Sequence, residues 1–180
     1  VNDISLVFGY TSHLYYTSDW RMIEENKTVN ATSATVKSQY VWSPFYVADL
    51  ILRDQTTTPS GGSIPDGRVY VNQDANYSVT SIVAYDSGTS SWKVAERYNY
   101  DPYGAPSFMT ASWGARSGTA YGWQYLHQGG RYEATNALYH FRNRDLHAAY
   151  GRWMQADPLG YADTLNRALY ERTLKSAAAD

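Results

Sequence analysis

The sequence predicts an all-β chain built from consecutive hairpins, with a short helix at its C-terminal end. Three observations carry that prediction. Tyrosine supplies 18 of the 180 residues against 4 Phe, and a flat apolar ring tipped with a hydroxyl suits strands half buried in a sheet. Only 18% of the residues are charged while Thr, Ser and Val are plentiful, a composition of folded β structure rather than disorder. Short alternating runs are separated by turns that hold Asp with Gly, Asn or Trp, the signature of successive hairpins.

In chain order, residues 13–16 run into the turn Thr17-Ser18-Asp19-Trp20 and residues 21–25 lead out. Residues 26–38, rich in Thr, Asn, Ala and Ser, read as a surface loop, and 56–63 have linker composition. Between them, 40–47 and 49–53 read as two strands, with Pro44 marking an edge or a break. Residues 68–71 and 77–85 flank a turn at 72–76, and 92–100 run into Asp101-Pro102-Tyr103-Gly104. In that turn Asp101 can bond its own backbone, Pro102 presets φ, and Gly104 is free to take φ > 0. Residues 121–132 and 138–144 are expected to pair across a turn at 133–137. In the return strand Tyr139 and Phe141 face one way and His140, Arg142 and Arg144 the other. A second Asp-Pro-x-Gly follows at Asp157-Pro158-Leu159-Gly160. From Tyr161 onward there is neither Gly nor Pro, Asp163 can cap a helix, and Leu165, Ala168 and Leu169 share its face.

Composition excludes several function classes. With no cysteine there is no disulfide, thiolate zinc site or cysteine nucleophile. A net charge of −2 gives no basic field for a phosphate backbone, so no nucleic-acid partner is expected. No apolar run reaches the length of a membrane helix, and no charged-then-apolar leader opens the sequence. The length fits one domain or one piece of a larger one, and a first residue of Val suggests a chain cut from something longer.

The run Tyr98-Asn99-Tyr100-Asp101-Pro102-Tyr103-Gly104 resembles the tyrosine-aspartate repeat of Rhs proteins. Three further blocks follow in order. They are Tyr125-Leu126-His127-Gln128-Gly129-Gly130-Arg131-Tyr132, Leu138-Tyr139-His140-Phe141-Arg142-Asn143-Arg144-Asp145, and the stretch from Gly151-Arg152-Trp153 to Leu159-Gly160-Tyr161. Together they resemble the Rhs repeat-associated core domain, and the hairpins extend the likeness back to about Leu14. The resemblance divides the chain into hairpin repeats over 1–106, a core segment over 107–161 and an atypical, helical tail over 162–180. It implies a hollow shell of wound hairpins, secreted or displayed at a cell surface, that encloses a toxin made as the C-terminus of the same chain. The core domain closes such a shell, and in several members it is a self-cleaving aspartyl protease that uses two Asp-Pro-x-Gly aspartates.

By motif position Asp157 is the first of those aspartates and Arg152 the arginine just before it. The second Asp-Pro-x-Gly is missing, and Arg172 to Ala179 stand where an Asn/Pro-rich turn is usual, so a truncated or frameshifted chain is expected. Aspartyl chemistry needs two carboxyls sharing one proton, which Asp157 alone cannot supply; its plainer role is to turn the chain ahead of Pro158. Asp101 reads as a repeat turn, and Asp180 would serve only if the tail folded back. Ala137 stands where the family usually has Gly, with Asn136 beside it able to take the left-handed conformation.

No metal or cofactor is expected. His13, His127, His140 and His147 lack the i,i+4 spacing of a helical zinc site, and no Gly-x-Ser-x-Gly elbow occurs. The six Trp, spread over separate hairpins, are expected to pack a sheet face; the alternative is a platform that stacks cell-surface glycans. The expected role is therefore the structural closing segment of an Rhs-type shell. Its partners would be the rest of that shell and the enclosed toxin, and self-cleavage and glycan binding are the alternatives.

Overall fold

The computed structural model describes residues 3–7, 10–29, 35–58, 65 and 67–157. The expected C-terminal helix, the greater part of the 56–63 linker and the Pro158-Leu159-Gly160 portion of the second turn lie outside them. The described chain is all-β, as expected, in two antiparallel sheets whose strands follow sequence order. The large sheet holds β1 (Asp3–Val7), β2 (Tyr10–Tyr16), β3 (Met22–Val29), β4 (Thr35–Trp42), β5 (Leu50–Thr58), β6 (Gly67–Gln73), β7 (Val79–Asp86), β8 (Ser91–Tyr100), β9 (Pro106–Thr110) and β10 (Ala115–Arg116). The small sheet holds β11 (Arg131–Glu133), β12 (Leu138–Phe141), β13 (Arg144–His147) and β14 (Arg152–Trp153).

The hairpins repeat one another in detail. In β2–β3, β4–β5 and β6–β7 the return strand carries one extra residue just past the turn: Ile23, Ile51 and Thr80. Immediately before each extra residue stands one of the most deeply buried side chains, Met22, Leu50 and Val79. A bulge in the same place in three successive hairpins bends each strand in the same sense and raises the local twist. After the bulge the alternation shifts by one, so Glu25, Arg53 and Ile82 turn inward at equivalent positions.

The turns repeat too. At Thr17, Asp74, Asp101 and Thr110 the first residue's N–H donates to the carbonyl four residues on, and its carbonyl accepts from the residue three on. Its side-chain oxygen caps the turn from within. Asp74 Oδ1 accepts from the N–H groups of Asn76 and Ser78, and Asp101 Oδ1 from those of Tyr103 and Ala105. Thr17 and Thr110 do the same for Arg21 and Gly114. The fourth turn residue has positive φ; it is Trp20, Tyr77, Gly104 or Trp113.

Five expectations need correction: the loop at 26–38, the linker at 56–63, the strands at 40–47 and 49–53, the strand at 121–132 and the return strand at 138–144. Residues 26–29 and 35–38, read as loop, are strand. On the solvated face Glu24 accepts from Gln39 and pairs with Lys37 at 3.0 Å, while Ser38 turns inward toward Gln55. Residues 56–58 likewise complete β5, while 43–49 form a loop closed by the Ser43 N–H bond to Asp49. Residues 121–130 are not a strand but a segment laid across the large sheet, which buries Trp123, Tyr125 and Leu126 and carries an isolated bridge from Tyr125 to Arg131. Their alternation of apolar residues reflects burial against a sheet rather than membership of one. The return strand ends at Phe141, and Arg144 opens the next strand.

The core lies between the buried face of the large sheet and the 121–157 segment. Tyr125 packs edge-on against Tyr40 and Trp42 at 5.3 and 5.1 Å, and Tyr139 OH donates to the Gly104 carbonyl at 2.8 Å. We refer to residues 121–157 as the cap.

Candidate functional site

Asp157, the carboxylate singled out by the sequence, is buried to 3% exposure near the C-terminal limit of the described cap. Arg144 Nη1 donates to its Oδ2 at 2.5 Å, and the same guanidinium lies over the Trp153 ring at 4.3 Å from its centroid. Phe141 meets Trp153 edge-on at 5.4 Å, so the arginine is held between a carboxylate and a packed ring. The chain before Asp157 is pinned by a second set of bonds. The Met154 N–H donates to the Asp145 carbonyl, and Gln155 accepts from the Asp145 N–H and donates to its carboxylate. His140 Nδ1 meets the other oxygen of Asp145.

A buried carboxylate against a guanidinium is a charge-compensated anchor, and loss of either partner strands the other in the interior. Arg152 lies elsewhere: it is exposed on β14, with its backbone paired to His147. Asp101 is exposed and spends Oδ1 on its own turn. Arg144 thus gives Asp157 a guanidinium partner within the cap. The sequence reading missed Arg144 by placing it on the outward side of one long strand. The signal was the Arg142-Asn143 turn, where Arg142 takes φ 49 and the ladder reverses.

Two more buried charges fasten the segment that leads from the large sheet into the cap. Glu96 on β8, 1% exposed, accepts from Tyr98 OH at 2.8 Å, Thr119 Oγ1 at 2.6 Å and the Ala120 N–H at 2.5 Å, and pairs with Arg116 at 3.2 Å. Arg53 on β5, equally buried, donates to the carbonyls of Tyr121 and Gly122 at 2.6 and 3.2 Å and lies over the Trp123 ring. Burial and the nearby Glu25 push the Tyr40 hydroxyl up to about 12 against a lowering pull from Arg53, so it stays protonated at neutral pH. Four consecutive residues, 119–122, are therefore held by one carboxylate and one guanidinium.

His127 sits at the other end of the contact, in a 3-10 turn, His127–Gly129. Its Nδ1 is 3.3 Å from Ser78 Oγ, which also accepts the Gln128 N–H, and the Val79 N–H donates to the Leu126 carbonyl. The approach is too close for side chains at two glycines. A Cβ on Gly104 would lie 2.4 Å from the His127 ring, and one on Gly129 would lie 2.5 Å from Ala48 Cβ. Among the described residues no group of three or more His, Asp or Glu is placed to hold a metal ion, and no helix is long and apolar enough to cross a membrane.

The Trp set divides. Trp123 and Trp153 are buried and Trp42 is half-buried with its indole N–H bonded to the Met22 carbonyl, whereas Trp20, Trp92 and Trp113 are exposed. Packing of a sheet face therefore accounts for only part of the set. The exposed members sit at turns or in a surface cluster: Trp92 contacts Tyr70 and Tyr85, and Trp113 lies under Arg97.

A ladder of sequential hairpins that folds a cap onto one face can be compared with known structures as a whole. The crystal structure of TcdB2-TccC3 matches 95% of this chain with a TM-score of 0.67 at 21% identity. The same complex without its hypervariable C-terminal region matches 91% at 0.64 and 20%. A Photorhabdus luminescens Tc holotoxin pore carrying a TccC3 mutation matches 95% at 0.65 and 19%. The fold is Rhs-like. The chain spans 8% of the length of each of those chains. No protein-family model matches the sequence, and no curated protein does.

Proposed function

We propose that this chain is a wall-and-closure segment of a hollow β-hairpin shell of the toxin-delivery kind, the large sheet forming wall and the cap closing one end. The observation that carries the reading is the match of nearly the whole chain, sheet and cap together, to a small part of the TcdB2-TccC3 chains. Support comes from the ladder itself. Among the described residues β1 and β10 stand at its two edges, the positions where further hairpins of the same kind would pair. The partners on this reading are the neighbouring hairpins and a polypeptide held inside, and the assembled protein is secreted.

Protease protection tests it. In protein purified from its native source, an enclosed polypeptide should survive trypsin until the shell is unfolded. Digestion at the same rate before and after unfolding would refute enclosure.

A second reading is self-cleavage: Asp157 stands at the motif position and is held in the interior by Arg144, and a second carboxyl from downstream sequence would have to share its proton. On that reading, Asp157→Asn in protein that includes the downstream sequence abolishes a cleavage product. Cleavage that persists would remove Asp157 from the chemistry.

A further inference from the structure

We infer that His127 is a pH-sensitive latch between cap and wall: the neutral imidazole locks the cap, and its protonation frees the 121–130 segment from the large sheet. The inference rests on the contact between the two sheets and not on the shell reading.

The geometry concentrates the contact on this ring. His127 is 8% exposed and is boxed by four elements of the wall and cap. The β6–β7 turn contributes Ser78, β8 contributes Tyr100 at 5.6 Å between ring centroids, the β8–β9 turn contributes Gly104 against the ring carbons, and β12 contributes Tyr139 at 6.0 Å. The remaining members of the box are bonded as well: Tyr139 OH donates to the Gly104 carbonyl across the joint, and Tyr100 OH donates to the Val79 carbonyl within the wall. A displaced His127 ring would therefore disturb the Ser78 bond to the Gln128 N–H, the Val79–Leu126 backbone bond and the Tyr139–Gly104 bond together.

Among the described residues, the titratable groups that face the ring include Asp74 and Asp101 from the two turns, Tyr100 from β8 and Tyr139 from the cap. The two carboxylates favour an imidazolium, but both are exposed and already accept two backbone N–H bonds each through Oδ1. Loss of water around the buried ring outweighs them and holds His127 below its usual 6.5. The released segment binds a proton more readily than the latched one. Latch strength is thus fully present above about pH 6.5 and is lost as pH falls from there toward the folded-state value.

The test is hydrogen exchange of the 121–130 amides in the intact chain from pH 7.5 to 5, corrected for intrinsic exchange. The expected result is an opening constant that is flat near neutrality and rises below pH 6.5 by up to about tenfold per pH unit, the limit for one proton. His127→Gln should make it independent of pH, and His13→Gln, on β2 and away from the joint, should leave the wild-type profile intact. An unchanged pH profile in His127→Gln would overturn the latch. If that variant does not fold, NMR titration of the wild-type imidazole decides: a value at or above 6.5 overturns the proposal, and a lower one tracking the opening supports it.

Discussion

Ala137 holds φ at 57, a conformation that costs an L-residue about 1–2 kcal/mol, and its half-buried methyl makes no use of it. The sequence suggested that Asn136 would take this angle; instead Asn136 Oδ1 accepts the Leu138 N–H and leaves the strain one residue on. Ala137→Gly should raise stability by about 1 kcal/mol, read as a shift of the urea midpoint at unchanged slope. The same change at Trp113 or Tyr77 is not equivalent, because those rings stack on Arg97 and Tyr46. Glu96 is the opposite case, a residue whose every oxygen is used. Glu96→Gln keeps the volume but points an amide N–H₂ at donors and leaves Arg116 uncompensated, so a loss of about 2–3 kcal/mol is expected in the same assay. Neither Glu96 nor Arg53 stood out in the sequence. Charged side chains at inward positions of a strand look like ordinary surface residues until the register is known.

At the scale of elements, turns were more legible than strands. An Asp or Thr that can bond N–H groups two and four residues on announces itself locally, and Asp101-Pro102-Tyr103-Gly104 was placed from sequence for that reason. Asp101→Ala removes the acceptor for two N–H groups and should cost about 1–2 kcal/mol, measured by thermal or urea unfolding. Strand ends near residues 26–38 were lost to the loop reading because a run of Asn, Thr, Ser and Lys carries little apolar alternation. The bulges hid for a related reason. An extra residue at Ile23, Ile51 or Thr80 breaks the period of two just where a period of two is the evidence sought. The cap was the least legible element, since its burial comes from contacts with strands far away in sequence.

On the whole-molecule scale, a cap is fastened to a ten-stranded hairpin ladder at Arg53, Glu96 and His127. Gly104 is where the two come closest. Gly104→Ala places a methyl 2.4 Å from the His127 ring at a φ of 92, and a loss of about 2–5 kcal/mol is expected, borne by the cap more than by the strands. Limited proteolysis reads this out: cuts should move into 117–157 while the β2–β8 ladder stays protected. Cuts spread evenly over both would mean that cap and wall unfold as one.

The most direct measurement is an electron cryomicroscopy map of the polypeptide as its own gene encodes it. The account predicts that hairpins continue the ladder beyond an edge strand into a closed shell, with residues 121–157 filling one end. A map of a lone ten-strand sheet with bare edges and no enclosed space would contradict it.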